Sequence, residues 1–470
     1  MKKASYLLFL LTGLFLYKNI YAQQDFTLYN MNLVPQRNYI NPAFVPGEGK
    51  MFIGIPALSS QYINVTNNGF KYSDAVKHRF DDSLYIDFDN VLSKLSKDNY
   101  LSSNYRMDIL SFGIAVKKNY FSFNVTEKVD FRFRYPKNFM EFVWKGNGAY
   151  LDKQVNFNFG FNFTHYREYS LGAARQITDK LSVGLKLKYL YGMENFNTKK
   201  TDISLMTDAD DFAITAKANI ELNSSGLKDD TGENFNVTDY AFKRGNNGFG
   251  ADFGLEYKAT EQFTVSGSIV DLGVINWKYN TNNYISHDQN AHFTYNGFEL
   301  NQLINSDSAS TKDIGKALGD SLAEIFKIDT LHKSYKTRLS PQIYIGGTLA
   351  FSESSNAGVL VYWQAFDKKI HPGIAFSYNH RVADWLNLSA SYSMYNRSFT
   401  NLGLGAAIKG GPVQFYIVTD NILGMIFPQN AKNIQLHFGI NFILGKKAAV
   451  PPPAAASPAS APATPSAGGK

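Results

Sequence analysis

Residues 434–444 alternate with a strict period of two. Ile434, Leu436, Phe438, Ile440, Phe442 and Leu444 share one face, and Gln435, His437, Gly439 and Asn441 share the other. Side chains of a β-strand point alternately to its two sides, so the pattern builds a strand with one greasy and one wet surface. Such an unbroken apolar face suits a strand with lipid on one side and a water-filled lumen on the other.

The same rhythm recurs upstream. Phe121, Phe123, Val125, Val129, Phe131, Phe133 and Tyr135 alternate with Ser122, Asn124, Thr126, Lys128, Asp130, Arg132 and Arg134, and Glu127 alone breaks the apolar row. Leu181, Val183, Leu185, Leu187, Tyr189 and Tyr191 oppose Ser182, Gly184, Lys186 and Lys188. Phe249, Ala251, Phe253, Leu255 and Tyr257 oppose Gly250, Asp252, Gly254 and Glu256. A soluble sandwich yields one or two such strands. Many of them, with large aromatics facing one way and charges the other, imply an all-β fold, a transmembrane antiparallel β-barrel.

Composition agrees. Aromatic residues make up 15% of the chain, with 29 Tyr and 37 Phe, although mean hydropathy is only −0.25. Residues 1–22 have the layout of a secretory signal peptide, with Lys2 and Lys3 before an apolar core and Ile20-Tyr21-Ala22 at the cut. That core is too short to span a bilayer, and no later apolar run is long enough for a membrane helix. The chain has no Cys, which excludes disulfides, thiol catalysis, Cys-bound metals and a lipid anchor on Cys. Three lysines behind the +7 formal charge lie in the leader, and the remainder is too dispersed for nucleic acid.

Connection lengths give the topology. Short links fall near 117–119, 178–180, 260–261, 352–355, 383–384 and 410–411, and long ones at 59–104, 136–152, 222–247, 276–334 and 420–432. Bacterial barrels have short periplasmic turns and long external loops. The spacing predicts a barrel over 50–445 with both termini in the periplasm. It predicts 14 strands if 197–221 forms an external flap, or 16 if that stretch supplies two wall strands. Residues 23–49 form a periplasmic or lumen-plugging segment, and 446–470, rich in Pro and Ala, an extended tail in the periplasm. Short helices are expected at 313–327, where Ile314, Leu318, Leu322 and Ile325 make an apolar stripe, and at 90–95. Residues 155–173 fit less well, because His165 and Arg167 fall on the apolar face, where a charge costs about 2–4 kcal/mol at the midplane. A bulge near Tyr166, or a strand rising above the membrane, would resolve this.

Lys128, Asp130, Arg132, Arg134, Lys186, Lys188, Asp252 and Glu256 are expected to face the lumen. They suit either a charged constriction or a self-neutralising ion-pair network, and the mixed signs favour the network. His287 and His292 do not have zinc-motif spacing. Asp81, Asp82, Asp87 and Asp89 lack the Gly and Glu of a calcium loop. His165, His371 and His380 belong to no catalytic signature, and no phosphate loop occurs. The chain is therefore expected to be non-enzymatic, with no cofactor and no metal.

His437, Gly439, Phe442 and Leu444 are spaced so as to resemble the C-terminal signal read by the barrel-assembly machinery. Gln24-Asp-Phe-Thr-Leu-Tyr-Asn-Met, followed by Asn41-Pro-Ala-Phe44, resembles the start of Bacteroidota outer-membrane barrels of the PorP/SprF kind. Gly54-Ile-Pro-Ala-Leu58, Asn68-Gly-Phe70, Asp82-Ser-Leu-Tyr85, Lys145-Gly-Asn-Gly-Ala-Tyr150, Arg167-Glu-Tyr169, Val270-Asp-Leu-Gly273 and Thr419-Asp-Asn-Ile-Leu-Gly424 resemble an uncharacterised barrel family of that phylum. The resemblance implies an outer-membrane barrel of FadL-like size and no known reaction. Some PorP/SprF relatives serve type IX secretion or gliding, but the longer loops here do not carry that role over. Two functions are expected from different classes. The favoured one is a non-enzymatic subunit or scaffold of an envelope assembly, docking envelope proteins through loops or tail. The other is a passive transporter or channel for a small or hydrophobic solute, with residues 41–44 near a hatch. Either would contact outer-membrane lipid, lipopolysaccharide and the assembly machinery.

Overall fold

The computed structural model describes residues 25–227, 237–242, 245–286, 292–295, 328–367, 369–395 and 397–445. Fourteen antiparallel strands close into a barrel. The first, β1, runs Met51–Gly54 and resumes at Gln61–Asn67. It is followed by β2 (Asp98–Val116), β3 (Asn119–Pro136), β4 (Gly160–Gln176) and β5 (Leu181–Thr207). Next come β6 (Asn246–Lys258), β7 (Phe263–Trp277), β8 (Tyr335–Arg338 continuing as Gln342–Ala350) and β9 (Ser355–Phe366). The wall is completed by β10 (Lys369–Ala383), β11 (Leu386–Tyr395), β12 (Ser398–Gly410), β13 (Val413–Thr419) and β14 (Asn433–Leu444). Closure comes from β14 on β1, with Met51 opposite Leu444 and Thr66 opposite Asn433. No open edge is left in the wall, as a sheet in hydrocarbon requires.

The period of two puts the greasy row outside. Leu185, Leu187, Phe249, Phe253, Leu402 and Leu404 are exposed on the outer face, whereas Asn433, Gln435, His437 and Asn441 of β14 are buried inside. Among the described residues no helix is long and apolar enough to cross a membrane.

The long strand β5 separates wall from extension. Its first half pairs with β6, and its second half pairs with the strand Ile214–Ser225, which in turn pairs with Thr281–Ser286 and His292–Tyr295. Residues 197–221 thus rise beyond the barrel as a flap, and the count is 14.

One expectation is corrected. The first loop was expected to begin at residue 59, but Gln61–Asn67 is wall, paired to both β14 and β2. Only 55–60 interrupts it, where Pro56 has no N–H to give and Ala57 takes a φ of 60°. The short helix expected at 90–95 is Phe88–Lys94, capped by Asp87, and a second helix, Lys137–Lys145, follows β3. Asp25, the first described residue, lies inside the barrel against Arg106 and His437. The helix expected at 313–327, His287, residues 1–22 and the 446–470 tail lie outside the described residues.

His165 and Arg167 do stay on the outer face. Glu127, the one break in the β3 row, sits beside them and accepts from His165 Nε2 and Arg167 Nε at 2.7 Å each. The extra residue that shifts the register there is Met193 on β5, so the bulge lies across from Tyr166 rather than at it.

Candidate functional site: a plugged lumen

Residues 25–49 thread through the barrel, and its wall is shaped around them. Phe26, Leu28, Tyr29, Met31, Val34, Ile40 and Phe44 are buried in one cluster with Tyr344, Tyr362, Tyr395 and Tyr416 of the wall. Phe26 meets Tyr362 and Tyr395 edge-on at 5.8 and 5.0 Å, and Tyr29 meets Phe44 at 5.1 Å. Edge-on aromatic pairs of this kind contribute about 0.5–1.5 kcal/mol beyond burial.

Polar contacts set the segment's position. The Asp420 carboxylate, just beyond β13, accepts from the backbone N–H groups of Phe26 and Thr27 at 2.9 and 2.8 Å and from the Thr27 hydroxyl at 2.7 Å. Asp25 takes Arg106 Nη2 at 2.9 Å and lies 2.9 Å from His437 Nδ1. Gln36 exchanges two amide hydrogen bonds with Asn441, at 2.9 and 3.0 Å. Asn41 donates to the carbonyls of Leu255 and Gly267, bridging β6 and β7. Near the turn end, Phe52, Tyr120, Ala174 and Ile443 close a small apolar cluster against Val45.

Opposite the segment stands a charged wall. Lys188 Nζ lies 2.7 Å from Asp252, 2.6 Å from Asp271 and 3.5 Å from Glu168, while Lys128 lies 2.7 Å from Glu168 and 3.5 Å from Asp271. An isolated charge this deep would be prohibitively costly, so mutual neutralisation is what permits the cluster. Of the residues expected in the lumen, the structure brings Lys128, Lys188 and Asp252 together. Lys186 is next to them and donates to the Asn38 carbonyl of the plug at 3.2 Å. Asp130, Arg132 and Arg134 climb away toward the loop end. There Asp130 accepts from Asn104, Arg132 donates to Ser340 at 2.6 Å, and Arg134 pairs with Asp367 at 2.7 Å. Glu256 stands apart, and its charge acts on the buried Arg37 of the plug. His437 and Gly439 turn inward, His437 against Asp25, Ser60 and Tyr416, while Phe442 and Leu444 stay on the outer face.

Glu168, Asp271, Arg106, Asp25 and Asp420 were missed. Alternation alone puts Glu168 and Arg106 inside, so their signal was present. Asp271 has none, because a bulge sets both Val270 and Asp271 against Asp252, and Asp271 turns inward with a φ of 59°. Its N–H donates to Asp252 at 2.8 Å.

Burial works against the charge on Asp25, but His437 and Arg106 hold its carboxyl below the usual value. Asp420 goes the other way. Burial, aided by the nearby Asp25, pushes it up to about 7. Cavities of about 40 and 50 Å3 lie along the charged wall, the first of them against Tyr39 and Ile40 of the plug, with room for water and little else. Among the described residues no cluster of metal-ligating side chains occurs. The Asp81 and Asp87 carboxylates cap local turns at Ser83 and Asn90.

Several solved barrels are similar in fold. A Pseudomonas aeruginosa FadL homologue shares 9% identity over 91% of this chain and 100% of its own, with a TM-score of 0.43. The Ralstonia pickettii toluene transporter TbuX shares 10% over 86% and 91%, at 0.38. The Pseudomonas putida toluene transporter TodX shares 9% over 90% and 93%, at 0.37. No protein of curated function matches the sequence. Residues 42–420 match the model of a family of unknown function, and the chain belongs to that family, DUF5723.

Proposed function

We propose that the protein is a passive outer-membrane transporter whose barrel is closed by its own N-terminal segment and conducts a small solute when that segment moves. The observation that carries this is how the plug is held. It fills the bore, yet apart from the chain's own continuation into β1 it is held by apolar packing, hydrogen bonds and ion pairs, with no disulfide to the wall. The outward apolar rows and the closed wall support an outer-membrane setting, with short turns toward the periplasm and the flap outside. The scaffold reading, which the sequence favoured, needs neither a removable segment nor a cavity at the loop end, and no described surface speaks for it.

The test is flux. Full-length protein reconstituted into liposomes should be nearly silent in single-channel recording, and deletion of residues 25–49 should yield discrete conductance while the barrel stays heat-modifiable on gels. A deletion variant that folds and still passes no current would end the transport reading.

A further inference from the structure

At the loop end, between the start of β2, the end of β3 and the flap, lies a cavity of about 520 Å3, within the range of small-ligand sites. Its chemistry follows from one stretch with a period of two. Gln154, Asn156 and Asn158 turn toward the cavity. The intervening Phe157 and Phe159 pack the other way, on Phe139 and Phe142 of the helix Lys137–Lys145, at 4.6–5.7 Å between ring centroids. Across from them, Asn138 and Asn219 add two more amides. Among the described residues the side chains of Asn138 and Asn219 carry no hydrogen bond.

Charge excludes other ligand classes. The lining itself carries two cations, Lys97 and Lys217, and two anions, Asp98 and Asp202, which pair with Lys369 and Lys200 at 2.9 and 3.6 Å, so it has no net formal charge of its own. No aromatic ring lines it, so an aromatic hydrocarbon would find no stacking surface. What remains is a dense set of amides, groups with two donors and one acceptor oxygen each, of which Gln154 donates to the Asn156 oxygen at 2.9 Å. Hydroxyl groups of a sugar, which donate and accept at once, complement such a set.

We infer that this vestibule is a binding site for a neutral saccharide, formed chiefly by Gln154, Asn156, Asn158, Asn138 and Asn219. The inference rests on the transport reading for its purpose but not for its test. Full-length protein in detergent is titrated calorimetrically with neutral di- to hexasaccharides (malto-, cello- and manno- series), a uronic-acid oligomer, a neutral tripeptide and toluene. At least one neutral series should bind, and Asn156→Leu with Asn219→Leu should weaken it roughly tenfold or more, since two amides that hydrogen-bond the ligand are lost together. Gln154→Ala, at an exposed position, gives a milder variant should the double one misfold, and it should weaken binding severalfold.

Absence of saccharide binding, whatever else binds, overturns the inference, as does saccharide binding that neither variant changes. Saccharide binding by the full-length protein, together with a folded 25–49 deletion variant that passes no current, would sink the transport reading and leave the site standing. Flux of another solute without saccharide binding would do the reverse.

Discussion

At the scale of single residues, Asp420 is the most consequential side chain. One carboxylate holds both backbone donors at the start of the plug, and among the described residues the plug charge that acts on it is Asp25, itself paired to Arg106 and His437. Its carboxyl titrates at about 7 in the seated state against an ordinary 3.8, so seating favours the protonated form. Seating is therefore strongest in acid, weakens as pH rises from about 4 to about 7, and is level above that. Asp25, held low, stays ionised throughout that window and contributes no slope. Channel openings counted in planar bilayers should become more frequent across this interval. Asp420→Asn should flatten the profile, and an unchanged slope in that variant would remove Asp420 from the latch. Asp420 was present in a segment that carried the family resemblance, but no residue pattern reveals that it binds backbone N–H groups almost four hundred positions earlier in the chain.

At the scale of elements, most of the wall was legible. Strand faces follow from side-chain direction alone, and that is why β3, β5, β6 and β14 present the rows read from the sequence. Interruptions of the rhythm were not legible. The break at 55–60, the Met193 shift and the Asp271 bulge each depend on which strand lies alongside, a relation that a single strand's pattern does not contain. Glycines on the inner face are a second case. In sequence Gly184 reads as a small residue in a polar row, yet in the barrel an added Cβ would lie 2.3 Å from the Pro42 carbonyl carbon and oxygen and 2.4 Å from the Ala43 nitrogen. Those are backbone atoms and cannot swing aside. Gly184→Leu should therefore expel residues 41–43 and make the reconstituted protein leaky to small dyes, while its gel mobility before boiling stays that of a folded barrel. A tight Gly184→Leu protein would show that the plug can reseat around the new side chain.

At the scale of the whole molecule, function turns on whether the segment leaves its seat. The chain has no cysteine, so introduced pairs report cleanly. Gln36 and Asn441 face each other through paired amide bonds. In Gln36→Cys with Asn441→Cys, oxidation should abolish flux and reductant should restore it. Flux that continues through the locked protein would mean that solute passes without plug movement.

By itself the sequence determined an all-β chain with an apolar outside and a wet inside, because alternation is a local property written residue by residue. It also determined a wall of mixed charge. Only the tertiary structure decided that this wall neutralises itself around Lys188, that residues 25–49 occupy the bore, and that an amide-lined vestibule lies at the loop end. Those are contacts between segments hundreds of residues apart, and their geometry exists only once the sheet has curled and closed.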